Sequence, residues 1–222
     1  MDAVFHHTTL CDLPPPLLHN HLLRSTDLKH ANLSGLDLAG IDVSGVDLRG
    51  ADLSGACLAN ATLVRADLRG AVLSQADLRG ADLSGADLAG ASLTGADLSH
   101  ARLVGVGLRG AELSEAILTN ANMEQADLTG ACLEGAVMIA AQLSGAVMVG
   151  VALDGADLNG AVLVGADLRK AHLEGAELSE AVLLHADLDG AWLLAAQLQG
   201  VVLRRARWSV QTRWPCGFRP PA

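Results

Sequence analysis

Eight histidines, four cysteines and several columns of carboxylates are the side chains with chemical potential in this 222-residue chain. Imidazoles and thiolates hold zinc when ligand pairs lie a few residues apart. His6-His7 and His19-Asn20-His21 are the only close imidazoles, and neither string has a cysteine or acid cluster at ligand spacing. A serine becomes a nucleophile beside a histidine and a carboxylate. Ser34, Ser54, Ser74 and Ser114 lie at multiples of 20 residues from one another, but no triad partner accompanies them. The glycines contain no Gly-x-x-x-x-Gly-Lys-Ser/Thr string, so they form no phosphate loop of that type. These residues predict no catalytic group, no cofactor and no metal site. They point instead to a protein that works by binding, and the feature to explain is their regularity.

That regularity has a period of five, unbroken from Thr26 to Arg205. It reads Ala-Asp-Leu-x-Gly, as in Ala51-Asp52-Leu53-Ser54-Gly55 and Ala81-Asp82-Leu83-Ser84-Gly85. The central position occurs 36 times and is Leu except at Val43, Met123, Met138 and Met148. An uninterrupted short repeat is the mark of a stacked solenoid. A period of five suits no α-helix, because every fifth residue turns about 140° beyond a full turn and the leucines would spiral. It fits a short extended piece followed by a corner. Within the piece, Ala and Leu are two residues apart and point the same way. That way is inward, and the intervening residue, usually Asp, faces out. The fifth position is Gly in 22 of 36 units, as suits a corner of positive φ such as a type II turn. Four edges close a coil of 20 residues, so the repeat predicts nine coils in a rod of about 43 Å. Leu53, Leu68, Leu83, Leu98, Leu113, Leu128, Leu158 and Leu178 are its expected core. The outward Asp is expected to fix the turns through nearby backbone N–H groups.

Ala-(Asp/Asn)-Leu-x-x in tandem resembles the pentapeptide-repeat proteins, over residues 26 to 205. The resemblance implies an all-β fold, a right-handed quadrilateral β-helix. Residues 1–25 and 209–222 then flank a β-helix of 26–208. In the first segment, Pro14-Pro15-Pro16 precedes Leu17, Leu18, Leu22 and Leu23 and predicts a short helix that covers the first coil. In the last, Thr212-Arg213-Trp214-Pro215-Cys216-Gly217-Phe218 resembles closing segments of other bacterial pentapeptide-repeat proteins. Trp208, Trp214 and Phe218 are expected to plug the open core, because an uncovered solenoid end stacks on its neighbours.

Positions 20 apart share a face, and the four faces differ. The first pairs an aspartate column, Asp27, Asp47, Asp67, Asp87, Asp127, Asp167 and Asp187, with Lys29, Arg49, Arg69, Arg109 and Arg169. The second carries Asp52, Glu112, Glu115, Glu134, Asp154 and Glu174 without a Lys or Arg. The third sets Asp37, Asp77, Asp97, Asp157, Glu177 and Glu180 against Arg79 alone. The fourth is slightly basic and has outward aliphatics near its C-terminal end: Val162, Val164, Val182, Leu184 and Val202. Trp192 and Leu194 sit outward on the second face. The second-face acids and these apolar residues are the candidate partner surface.

Half the residues are apolar but only 2% are aromatic, which predicts a narrow core. No apolar run approaches a membrane span, and Met1-Asp2-Ala3-Val4-Phe5-His6-His7 does not read as a signal peptide. Cysteines at 11, 57, 132 and 216 read as free thiols in a reducing compartment. The expectation is a cytoplasmic, non-enzymatic rod that presents flat faces to a protein partner, with self-association into a homodimer as another use of the apolar strip. No face is basic enough for direct nucleic-acid binding. The family resemblance implies an alternative, an acidic DNA mimic that binds a type II topoisomerase such as gyrase. A duplex of about 43 Å carries roughly 25 charges and one strand roughly 13. The second and third faces together hold twelve acids and one base, close to the single strand. Against mimicry, no Phe occupies a central position, no loop interrupts the repeat, and the tail contains Pro215, Pro220 and Pro221.

Overall fold

Hydrogen bonding in one five-residue unit shows why the chain coils. In the computed structural model, which describes residues 28–221, each N–H of Ala51–Gly55 has an acceptor. Asp52 donates to Ala31 of the preceding coil at 2.9 Å. Leu53 and Gly55 donate to Val72 and Ser74 of the following coil at 2.7 and 2.9 Å. Ala51 donates to Leu48 at 3.0 Å and closes the preceding turn. The remaining donor, Ser54, bonds the carboxylate of Asp52 at 3.0 Å. A buried backbone donor without an acceptor costs as much as a lost hydrogen bond, so this pattern leaves a unit little freedom.

The same pattern recurs along the rod. Parallel bridges join outward second positions 20 residues apart, from Asn32–Asp52 to Asp187–Arg207. Four units therefore complete one coil, and each unit forms one side. Every fifth residue from His30 to Arg205 has φ between 53° and 70°. Glycine enters that left-handed region freely, but fourteen corners carry another residue, Ala140 and Ala195 among them. The i→i+3 bond across each turn and the positive φ at its third residue are those of a type II turn. The corners expected from glycine spacing are thus present, and the architecture holds them even where glycine is missing.

Inward Leu and Ala form one continuous core. Leu53, Leu68, Leu83, Leu98, Leu113, Leu128, Leu158 and Leu178 are all buried within it. Met123, Met138 and Met148 fill Leu positions and are equally buried. Near the N-terminal end, Leu36, Ile41 and Val46 occupy first positions that later coils give to Ala except at Val106, Val151 and Val201. The expected lid residues Leu17, Leu18 and Leu22, with the whole segment 1–25, lie outside the described residues.

At the C-terminal end the ladder continues past the last regular repeat with one residue added. The final rung is Trp192–Arg213, a step of 21. Thr212 closes the displaced turn by donating its N–H to Ser209 at 3.2 Å. Its hydroxyl, buried, donates to the Leu188 carbonyl at 2.8 Å. Trp208, Trp214 and Phe218 are half-buried and pack against the core. Trp208 meets Trp214 edge-on at 5.7 Å, and Trp214 stacks on Phe218 at 5.2 Å.

Two substitutions test this construction. Leu113→Ala leaves a cavity in a core with no room to collapse and should cost about 2–5 kcal/mol in urea unfolding. Ala140→Gly removes a Cβ from a left-handed corner and should raise stability by up to about 1 kcal/mol. A loss of stability on Ala140→Gly would contradict the strain assigned to that corner.

Candidate functional site

Aspartate at the second position sets its carboxylate against the turn's open donor. All thirteen second-position aspartates among the described residues do so, each accepting the N–H two residues on. Asn32 and Asn122 do the same. Glutamate does not: the second-position Glu112 and Glu177 are exposed, and Glu177 accepts instead from the Asn159 side-chain amide, while the Ser179 N–H bonds Asn159. Where His172 replaces the cap, Asp154 of the preceding coil accepts the Glu174 N–H at 2.8 Å. Much of the acidity is therefore part of the fold.

The first face neutralises itself in the way its columns imply. Arg49 donates two bonds to Asp47, at 2.9 and 2.6 Å, and also lies 3.4 Å from Asp67. Arg69 repeats this between Asp67 and Asp87, and Arg169 pairs with Asp167. Hydrogen bonds from the arginines hold the Asp47, Asp67 and Asp167 carboxyls below the usual carboxylate range. On the third face Arg79 does the same to Asp77.

The candidate surface divides in space. Glu115, Glu134, Asp154 and Glu174 lie on successive coils along one corner of the second face, linked by Glu115-to-Glu134, Gly135-to-Asp154 and Gly155-to-Glu174 backbone bonds. Glu112 adjoins them, whereas Asp52 lies three coils away and caps Ser54. Val162, Val182 and Val202 form consecutive rungs of the fourth face, with Val164 and Leu184 on adjoining turns. Trp192 is exposed on the second face, the side opposite this strip. One flat partner cannot cover both. A second aliphatic group went unmarked in the sequence: Ile117 and Val137 are adjacent rungs of the third face, and Ile139 projects beside them. The 20-residue comparison that found the charges would have found these too.

Among the described residues, no group of three or more His, Cys, Asp or Glu is arranged to hold a metal ion. Ser54 donates its hydroxyl to Asp52 at 2.6 Å as part of the turn cap. Cys57 and Cys132 are half-buried free thiols, and Cys216 is exposed. No helix among the described residues is long and apolar enough to cross a membrane.

The family model for pentapeptide repeats matches in eight copies, over residues 26–63, 66–105, 108–138, 136–175 and 166–205. The chain belongs to the pentapeptide-repeat family. Members fold as right-handed quadrilateral β-helices, and the 20-residue ladder is this chain's form of that fold. Among solved structures, it is 34% identical to HetL, a pentapeptide-repeat protein involved in heterocyst differentiation regulation in the cyanobacterium Nostoc sp. strain PCC 7120. That match covers 86% of this chain and 92% of HetL, with a TM-score of 0.47. It is 33% identical to Rfr23 of the cyanobacterium Cyanothece 51142, over 42% of this chain and 63% of Rfr23, with a TM-score of 0.42. Trypsin-treated QnrB1, a plasmid-mediated fluoroquinolone resistance protein, is 19% identical over 69% of this chain and 90% of its own, with a TM-score of 0.46. No curated protein sequence matches.

The carboxylate caps make two expectations testable. Asp77→Ala frees the Arg79 N–H and should cost about 1 kcal/mol, while Asp77→Asn keeps an acceptor and should cost less. Carboxyls whose folded pKa is lowered stabilise the fold above their unfolded pKa, near 4, and that contribution is lost as pH falls below it. The melting temperature should therefore be flat from pH 7 to 5 and drop below about pH 4. The drop should be smaller in Asp67→Asn, and an equal drop would show that this pair does not contribute.

Proposed function

We propose that this protein is a non-enzymatic interaction rod that offers its flat faces to a protein partner in the cytoplasm. The observation that carries this reading is the outward valine ladder Val162–Val182–Val202. Its backbone donors are all used between coils, so a partner gains no strand edge along the side of the rod and must bind through side chains. The turn caps are aspartates, not valines, so the ladder serves no cap, and a contiguous apolar strip of this kind fits a contact surface. We read residues 26–208 as a β-helix of nine coils, with 209–222 closing it through Trp208, Trp214 and Phe218. Flat faces without a dry concave pocket fit binding better than catalysis, so no enzymatic activity and no cofactor are assigned.

A second reading rests on the exposed Glu112, Glu115, Glu134 and Glu174 along the second face. These carboxylates cap no turn and fit a surface that resembles a nucleic-acid backbone, for which gyrase is the first enzyme to test. Of the twelve acids counted on the second and third faces, Asp37, Asp52, Asp77, Asp97 and Asp157 are turn caps, which leaves fewer for mimicry.

Affinity purification from native extract separates the readings. Val162→Lys with Val182→Lys and Val202→Lys should abolish recovery of a specific partner at unchanged melting temperature. Retention by the triple variant would remove the strip from the proposal. Inhibition of gyrase supercoiling at micromolar protein, weakened by Glu112→Lys with Glu134→Lys, would favour the acidic face instead.

A further inference from the structure

The distribution of unpaired cations singles out the C-terminal end. Eight of the fourteen described Lys and Arg residues lie in ion pairs: Lys29, Arg49, Arg69, Arg79, Arg102, Arg109, Arg169 and Arg207. Among the described residues no ion pair holds the other six. One of these, Arg65, is isolated, and the other five, Lys170, Arg204, Arg205, Arg213 and Arg219, all belong to the last coils and the tail. On a chain of formal charge −10, this end is a local reversal of sign.

Lys170 and Arg213 border a shallow depression of about 550 Å³, which His172, Gly190, Trp192, Val210 and Gln211 complete. The ladder sets His172, Trp192 and Arg213 on consecutive rungs, so their planar groups stack along the rod axis. His172 lies 4.8 Å from Trp192 at 10°, and the Arg213 guanidinium lies 4.4 Å from the indole. Trp192 is thus clamped on both faces and presents its edge. Beside it, Val210 is fully exposed at the tip of the displaced turn. The site combines two unpaired cations, a rigid aromatic edge and an aliphatic contact, all fixed by backbone pairing.

We propose that this depression binds a short acidic segment of a protein partner, with carboxylates on Lys170 and Arg213 and an apolar side chain against Trp192 and Val210. One observation favours a peptide over a nucleic acid. Both faces of Trp192 are occupied, so no base can stack on it, and stacking is the main sequence-tolerant contact to single strands. This site differs from the valine strip and the acidic corner, sharing only Trp192 with the candidate surface, so it stands or falls independently of the proposed function.

The probe is a fluorescein-labelled octapeptide of alternating Glu and Leu, followed by anisotropy with the full-length protein. Its Gln-Leu counterpart and a twelve-residue oligothymidylate serve as comparisons. Binding should fall at least about tenfold in Lys170→Glu with Arg213→Glu, weaken in Trp192→Ala, and be unaffected by Val72→Thr, at an exposed position far along the rod. Unchanged circular-dichroism melting of each variant separates loss of the site from loss of fold. Equal binding of the Gln-Leu peptide, or full retention in the double variant, would overturn the proposal. Tighter binding of the oligothymidylate, lost in the same variant, would overturn it in favour of a nucleic-acid site.

Discussion

The corner at every fifth residue is the constraint on which this molecule depends. It turns the chain after three extended residues, and it must do so with positive φ for the next side to lie over the previous coil. Once the corner is made, second, third and fifth residues donate to adjacent coils and the first closes the turn. A unit by itself would leave most of these donors open. Stability therefore resides between coils, as in other solenoids, and non-glycine corners within the rod, such as Ala140 and Lys170, are held by bonds to the next coil. Positive φ at Ala140 or Lys170 would be unexpected in an isolated peptide, where the clash of Cβ with the following carbonyl oxygen disfavours it.

The one donor that neither the turn nor the next coil satisfies explains the composition. It sits at the fourth position, where the side-chain oxygen of an Asp or Asn two residues earlier accepts it and the second-position glutamates do not. The net charge of −10 is thus in large part a consequence of capping. Aspartate here is a residue of the fold, and glutamate is a residue of the surface. Counting all acids alike overstates the charge free to engage a partner. Sorting them by this geometry leaves Glu112, Glu115, Glu134 and Glu174 as a stripe of second-face carboxylates that cap no turn.

Period, inward leucine, outward aspartate and glycine corner were all legible in the sequence, because each repeats often enough to average out local exceptions. The turn-capping role of Asp was legible for the same reason. What repetition hides is whatever occurs once. The residue added after Trp208 shifts Arg213 out of the 20-residue column that contains His172 and Trp192, so aligned columns show a tryptophan and a histidine but never the guanidinium above them. Lys170 was hidden differently: it occupies a corner position, where the pattern predicts glycine, and it lacks the aspartate partner of its neighbour Arg169. Separation of the valine strip from Trp192 onto opposite sides follows from the four-sided coil, yet residue type alone groups them together.

The fold also explains how one end can differ from the rest. Inward first and third positions carry the packing, and the second needs only a capping oxygen, which other residues replace at many coils. The fourth and fifth side chains are free to vary once the corner is formed. Surface change therefore costs the core little, unlike in a globular domain, where most positions on an element contact several others. A chain built this way can change from self-neutralised Asp–Arg pairs to unpaired cations within two coils. The ladder then supplies what a loop would not: successive side chains held in register, so that His172, Trp192 and Arg213 are ordered by the same bonds that order the core. Pre-organisation of that kind lowers the entropy lost on binding, and it is the physical advantage a rod of regular coils has over a flexible arm of the same composition.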